Sequence, residues 1–395
     1  MVNLAILASP LTLLVPVAYI AGNESKASQY AWDYAIWSIE KAGPTFIKLC
    51  QWATTRHDLF PVEFVSKFAK LQDDTIGHTW KETDVILKEA LGPDYQSILE
   101  FQNVPHSREI IRQQKSKQRN AKPSDEYLPI GSGCIAQVYK AKLLKNTQFY
   151  TAGTEVAVKV SHPNIVHKVC VDFYIMNKFT SLLEKIPYIN LDYLSLKDSV
   201  QQFLDIMIPQ MDLRCEARNL KRFRRDFAGD EKVDFPAPIS DLTSNQVLVE
   251  TFIHGDPILE FIHESRSTLQ ERQEVARIGL ETVMKMIFLH DFVHGDLHPG
   301  NMIISRTKSG KDRPVRLNMI DCGLVVEMGE KDHVDLVKIL GALIKREGNL
   351  AGQLMVDTAK KCQASALDVE LFCRGIQKIC EDDEDNVSST IFFVE

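Results

Sequence analysis

The run His294-Gly-Asp-Leu-His-Pro-Gly-Asn301, followed twenty residues later by Asp321-Cys-Gly323, constrains this chain more than any other feature. An aspartate and an asparagine five residues apart converge only if the backbone between them folds back, and Pro299-Gly300 supplies that fold. The apolar run Leu317 to Ile320 reads as a strand that delivers Asp321 to the same point. Phosphoryl transfer asks a protein mainly for positioning and for neutralisation of charge. In that chemistry Asp296 faces the acceptor, the Asn301 amide oxygen binds a metal, and Asp321 bridges that metal to the phosphates. His290, His294 and His298 also recur every four residues, as in a metal site on a helix. Gly295 and Pro299-Gly300 interrupt any such helix, so structural histidines are the expectation.

A matching half lies upstream. Gly131-Ser-Gly-Cys-Ile-Ala136 stands just before one strand, and Val156-Ala-Val-Lys159 lies on the next. Glycines let a backbone approach phosphate oxygens, and a lysine from the following strand neutralises the α and β phosphates. Gly131, Ser132, Gly133, Cys134, Ala136 and Lys159 are therefore the candidate nucleotide contacts. Lys159 needs a carboxylate to hold it, and Glu216 is chosen, with a solvated helix face as the alternative. Glu250 ends a strand leading to a hinge where backbone groups would meet an adenine, though an ordinary strand-end carboxylate fits equally. Taken together the motifs call for ATP or ADP with Mg2+, with Asp296, Lys159 and Glu216 catalytic and Asn301 and Asp321 on the metal.

The periodicity reads as helices from Tyr30 to Glu100, with Trp32, Ile36, Ile39 and Phe46 on one face and Phe64, Phe68 and Leu71 on another. Residues 105–126 carry Arg108, Arg112, Lys115, Lys117, Arg119 and Lys122 among Gln, Ser and Asn. That stretch reads as a mobile connector, or alternatively as a patch for anionic lipid heads. Alternation over Ile135–Leu143 and Val156–Val160 predicts a hairpin. Helical periodicity returns from Ile165 to Phe227 with a break at Pro187, and a strand follows at Val247–Ile253. A helix over 268–290 and short strands around 302–304 and 317–320 complete the pattern, an α+β order without internal repeats. The expected domains are 30–104 as a helical extension, 105–126 as linker, 127–253 as a small β-rich lobe and 254–395 as a larger helical lobe.

Residues 1–29 form the remaining segment. Leu4 to Ala21 is nearly continuously apolar, and eighteen helical residues at about 1.5 Å each span roughly 27 Å, close to a bilayer core. A membrane anchor is the expectation; a buried helix and a cleaved signal are the alternatives, and neither basic flanks nor arginine-rich transit character is present. At the other end, Glu381 to Asp385 is acidic and Thr390 to Val394 apolar, so the chain reads as a truncated piece of something longer. A net charge of −7, with 46 basic and 53 acidic residues, gives no global attraction for nucleic acid. At 45% apolar and 25% charged, the composition excludes collagen-like, wholly disordered and polytopic membrane proteins. The eight cysteines form no C-x-x-C pair, and runs such as Val169-Cys170-Val171 read as small buried thiols.

With these motifs the chain resembles the UbiB family, the aarF-domain-containing kinases, from about Gly43 to Val334. Gly43-Pro-Thr-Phe-Ile-Lys48-Leu-Cys50-Gln51, with Arg56 through Pro61 after it, resembles the family's K-x-G-Q segment. Gly131 to Val138 resembles its alanine-rich nucleotide loop, Gly-Ser-Gly-Cys being similar to a mitochondrial member, and Gln210-Met-Asp212 resembles its E-x-D motif. Three features depart from the pattern: Cys50 replaces a glycine, Gln210 replaces a glutamate, and the loop has glycines at 131 and 133. The resemblance implies an atypical protein kinase-like, two-lobed fold with an N-terminal extension packed over the nucleotide cleft. It also implies ATP hydrolysis more than protein phosphorylation, in isoprenoid quinone (coenzyme Q) or lipid metabolism at a mitochondrial inner membrane. A lipid or quinone precursor and a quinone-biosynthesis complex would be its partners. Carried over, Lys48 and Gln51 reach into the site and Asp212 meets them there. A small-molecule phosphotransferase of the choline or aminoglycoside kinase type explains residues 290–323 equally well but leaves Lys48 to Gln51 unexplained. A nucleotide-binding scaffold without turnover and a protein kinase are the further alternatives.

Overall fold

The computed structural model describes residues 10, 25–55, 67–68, 77–103, 127–183, 196–263, 265–306, 314–359, 362 and 364–382. Nearly all of the expected anchor, the segment Arg56–Pro61, the basic linker and the chain after residue 382 lie outside these residues. Among the described residues no helix is long and apolar enough to cross a membrane.

The described chain falls into two compact units, one spanning residues 1–278 and 296–324, the other 279–295 and 325–395. The first opens with α1 (Lys26–Ala42) and α2 (Pro44–Thr55). Only Gly43 separates them; its φ of 117° ends α1, and Pro44 starts α2, where a missing N–H is no loss. Then come α3 (Trp80–Leu91) and β1 (Leu99–Gln102). The helical reading through Glu100 is corrected here. Leu99 and Phe101 are buried while Glu100 is exposed, a period of two in a strand too short to stand out from the helical pattern before it.

The strands β2 (Gly131–Ser132), β3 (Ala136–Leu143), β4 (Glu155–Ser161), β5 (Val233–Asp234) and β6 (Val247–Thr251) follow, interrupted by α4 (Ile165–Leu183), α5 (Leu196–Gln210) and α6 (Leu213–Asp226). One antiparallel sheet has the order β1-β3-β4-β6, with β2 also on β3. Its register sorts the side chains. Lys159 lies opposite Val138 and Leu248, and Ala157 opposite Lys140 and Glu250, so these share one face. The other face sends Tyr139, Leu143, Val156, Val158, Val160 and Val249 into a core with Trp80, Ile86 and Leu87 of α3. Each such buried side chain is worth about 1.5–3 kcal/mol, which anchors the sheet to α3. A second core joins Ile47 and Cys50 of α2 to Val169 and Phe173 of α4, Phe203 and Met207 of α5, and Cys134 and Ile135 at the loop tip.

Further on, β7 (Asp256–Pro257) is followed by α7 (Leu269–Phe288) and β8 (Phe292–His294). The strands β9 (Met302–Arg306) and β10 (Val315–Met319) form a hairpin within a second sheet of order β5-β10-β9-β7. Met302 pairs with Met319, so the hairpin's open end carries Asn301 on one arm and Asp321 on the other. The second unit joins β8 to β11 (Val325–Glu327) and ends in α8 (Glu330–Ile344), α9 (Gly348–Thr358) and α10 (Ala366–Asp382). A side chain at Gly348 would come within 2.4 Å of the Gln377 backbone, which is how α9 and α10 approach so closely. Cys50, Cys134, Cys322 and Cys373 are buried as expected, but Cys170 is exposed on α4, against the reading of the Val169–Val171 run.

Candidate functional site

Lys159 extends from the middle of β4 and meets α6. Its Nζ donates to Glu216 Oε1 at 3.0 Å and Oε2 at 2.8 Å, and pairs with Asp321 Oδ1 at 3.0 Å. Glu216 occupies the first turn of α6, where Leu213, Ala217, Leu220 and Phe223 fill the buried stripe and the helix dipole favours a negative charge. The Lys159 and Glu216 side chains are 12% and 4% exposed, whereas Asp321 is 47% exposed, so the group opens to solvent on the Asp321 side. Burial works against the Lys159 charge, but Asp321 and Glu216 outweigh it and hold the ammonium above its ordinary value. Burial pushes Glu216 up to about 7 against the pull of Lys159.

Asp321 has a φ of 56°, a left-handed backbone that costs a non-glycine residue about 1–2 kcal/mol. Its turn is fixed from two sides. Asn219, one turn along α6 from Glu216, donates to the Cys322 carbonyl at 2.9 Å, and the Ile320 N–H donates to the Asn301 carbonyl at 2.9 Å. Gly323 is bare for cause: a Cβ there would lie 3.2 Å from Asp321 Oδ1. The sequence reading did not identify Asn219; its spacing of three from Glu216 was the available signal.

The loop Asp296–Asn301 folds back as its spacing requires. Asn301 Nδ2 donates to the Asp296 carbonyl at 3.1 Å, and the backbone N–H groups of His298 and Asn301 close successive turns. Lys48 of α2 donates to Asp296 Oδ2 at 3.1 Å. Burial opposes the Lys48 charge, and Asp296 with Asp321 overcomes it, so its ammonium is held above the usual value. Gln51 is half-buried one turn further along α2. The histidine triad has no helix to stand on, since α7 ends at Phe288 and His294 lies in β8, while His298 Nδ1 accepts from the Gly300 N–H. Among the described residues there is no cluster of three or more His, Cys, Asp or Glu that would hold a metal.

The remaining residues take these places. Asp212 is the N-cap of α6, accepting from the Arg214 N–H at 3.0 Å and gripping the Arg214 guanidinium. Gln210 turns back on α5 to donate to the Ile206 carbonyl. Cys50 stands inside a helix, where no glycine backbone is needed, and burial pushes its thiol up to about 12. In the loop, Ser132 pairs with Gln137 and lies on the face opposite Lys159, its hydroxyl buried without a hydrogen-bond partner. The Cys134 side chain belongs to the apolar cluster of α2, α4 and α5. Gly133 uses its N–H on the Ala136 carbonyl, Gly131 shares the Lys159 face through Val138, and Ala136 is buried. On β6 the backbone beside Glu250 is engaged, Ile239 donating to the Val249 carbonyl and Thr251 to the Ala237 carbonyl. Glu250 therefore contributes a buried side chain whose Oε2 has no hydrogen-bond partner. Burial and the neighbouring Glu216 push it up to about 8.

The geometry thus gathers one ammonium, a supporting buried carboxylate, and the side chains of Asn301 and Asp321, with Asp296 held by a second ammonium. Oxygen donors of this kind suit Mg2+. With its nitrogen committed to Asp296, Asn301 keeps Oδ1 as its side-chain acceptor, and it is the residue with Asp321 that would hold such an ion. An ammonium next to hard oxygen ligands is the equipment for a polyphosphate.

Residues 71–355 match the ABC1 atypical kinase-like domain. The chain belongs to the ABC1 atypical kinase-like family. Its α+β fold is therefore kinase-like, and the family is the one to which the UbiB proteins belong. A mitochondrial ABC1 family protein of Schizosaccharomyces pombe is 27% identical over 95% of this chain and 61% of its own length. The probable serine/threonine-protein kinase abkC of Dictyostelium discoideum is 31% identical over 76% of this chain and 38% of its own. The probable protein kinase UbiB of Aliivibrio salmonicida is 26% identical over 87% of this chain and 57% of its own. The ABC1 chain described here spans less than two thirds of the length of each of these relatives.

Proposed function

We propose that this ABC1 chain binds Mg2+-ATP and turns it over, by hydrolysis or by transfer to a small acceptor, in support of isoprenoid quinone (coenzyme Q) or lipid metabolism at a mitochondrial membrane. The observation that carries the reading is Lys159 held between Glu216 and Asp321 at 2.8 and 3.0 Å. A lysine kept charged and aimed by a buried carboxylate can neutralise phosphate oxygens without reorganising when the ligand arrives. Asn301 and Asp321 are the residues that would hold Mg2+, which would supply charge neutralisation to a bound polyphosphate. Asp296 is the group that would orient an acceptor hydroxyl or water, and Lys48 occupies one of its oxygens, which speaks for hydrolysis or a guarded transfer over open access to protein substrates. The mitochondrial name of one relative supports the setting, and the quinone link is what the resemblance to the UbiB family implies. A soluble-alcohol phosphotransferase leaves the Lys48–Asp296 tie without a purpose.

The test is ATP turnover on liposomes with and without anionic lipid, comparing wild type with Asp321→Asn. Magnesium-dependent turnover that rises with lipid and is lost in the variant is expected. Turnover indifferent to Asp321→Asn would remove the site from the chemistry, and stoichiometric ADP release with a soluble alcohol would favour the phosphotransferase.

A further inference from the structure

Behind the Gly131–Ala136 loop, on the side away from Lys159, lies a run of side-chain hydrogen bonds that the reading above does not use. His162, just past β4, places Nε2 2.8 Å from the Gly133 carbonyl. Its Nδ1 lies 2.8 Å from His78 Nδ1, the rings being nearly perpendicular at 86°. His78 Nε2 is 2.9 Å from Thr83 Oγ1, and Thr83 Oγ1 is 2.8 Å from the Tyr139 hydroxyl. Gln137 Nε2 lies within donating reach of the Tyr139 hydroxyl at 2.5 Å, of Thr83 Oγ1 and of the His78 carbonyl, while its Oε1 accepts from the His78 N–H; the Thr79 carbonyl, at 3.4 Å, is a longer alternative acceptor for the Thr83 hydroxyl. The segment is seated closely, since a Cβ on Gly77 would come within 2.5 Å of Gln137 Oε1.

A carbonyl oxygen only accepts, and with both rings neutral and Thr83 donating along its shorter contact that orders the protons of the chain. His162 must carry hydrogen on Nε2, so in the neutral ring its Nδ1 accepts. His78 must then donate from Nδ1 and accept at Nε2 from the Thr83 hydroxyl. With its own proton committed, Thr83 accepts from Tyr139. The bonds therefore all point one way, from Tyr139 through Thr83, His78 and His162 to the loop carbonyl. Burial and, for His78, the facing ring keep both imidazoles below their ordinary value, His78 at about 4, with Glu82 of α3 and Lys168 of α4 the charged groups they sense.

We propose that His78 and His162 are positioning residues of the nucleotide loop, holding the Gly133 carbonyl through this one-directional relay so that the loop backbone is preset for phosphate. The inference rests on the nucleotide reading of the site. With the Gly133 N–H bonded to Ala136 and its carbonyl to His162, both polar groups of a residue that would otherwise be free to rotate are engaged. A loop ordered in advance does not lose that freedom when ligand binds. The relay touches none of Lys159, Glu216 or Asp321, so its loss should weaken nucleotide binding and leave the chemical step alone.

Two measurements on the full chain test this. Long-range 15N–1H spectra of histidine-labelled protein at pH 7 should show opposite neutral tautomers, Nε2–H for His162 and Nδ1–H for His78. In turnover assays, His162→Phe should raise the KM for ATP about fivefold to tenfold, the scale of one buried hydrogen bond, with kcat within about twofold. His162→Gln, which can both donate and accept, should restore KM, and it keeps the comparison available should the Phe variant not fold. Identical tautomers or an imidazolium at pH 7 would overturn the relay. Folded His162→Phe with wild-type KM would overturn the positioning role. Wild type that binds no ATP would sink the nucleotide reading and the positioning role with it, even if the tautomers are opposed.

Discussion

Glu250 is buried on the Lys159 face of the sheet with one carboxyl oxygen unbonded, and it retains its proton up to about pH 8. Unfolded, the same side chain titrates near 4.5, so the folded state binds more protons across that window and its stability falls as pH rises through it. Glu250→Gln mimics the protonated form. Thermal unfolding should find the variant matching wild type near pH 5 and more stable by about 2 kcal/mol or more at pH 9; equal pH dependence in the two proteins would place the proton elsewhere. The loop glycines make a second case. Neither Gly131 nor Gly133 has a positive φ, and a Cβ at Gly131 meets nothing within 4 Å while one at Gly133 meets only the Ala136 carbonyl at 3.7 Å. Alanine fits both, so Gly131→Ala and Gly133→Ala should each add about 0.4–1 kcal/mol by limiting the unfolded chain, read as a rise in Tm. A fall in Tm would mean the loop needs conformations that alanine lacks. Single residues were legible in the sequence where their chemistry is unusual for their spacing, as with Lys159, Asp296 and Asp321. Ser132 and Asp212 were not, because which face a strand residue takes and which end of a helix an aspartate caps are decided by pairing and by neighbours such as Arg214.

At the level of elements, α2 is the piece whose role is most open to experiment. It is packed into the apolar cluster with α4 and α5 and presents Lys48 to Asp296. Removing that ammonium with Lys48→Met should free the Asp296 carboxylate and raise ATP turnover severalfold at fixed Mg2+-ATP. A fall in turnover at unchanged nucleotide affinity would instead put Lys48 in the chemistry itself. The elements that carry the site were readable because their periods are long or their flanks marked: the β3–β4 hairpin by alternation, α6 by its apolar stripe, the β9–β10 arms by short β-rich runs. Those that escaped are short. β1 and β5, with four and two residues, owe their existence to partner strands, β3 and β10, distant in sequence, and no local pattern announces them.

For the molecule as a whole, the site described here lies within one compact unit, assembled from residues as far apart in the chain as Lys48 and Asp321. A chain with net charge −7 must supply positive charge locally to hold a polyanion, and Lys159 beside Asp321 is that charge. Lys159 is therefore the phosphate-facing cation on which the proposed turnover depends. The most direct test is steady-state Mg2+-ATP turnover by wild type and Lys159→Met at saturating nucleotide, with circular dichroism to verify the fold. A loss of about 10²-fold or more is expected in the folded variant; a folded Lys159→Met protein that turns ATP over at the wild-type rate would rule out that role for Lys159.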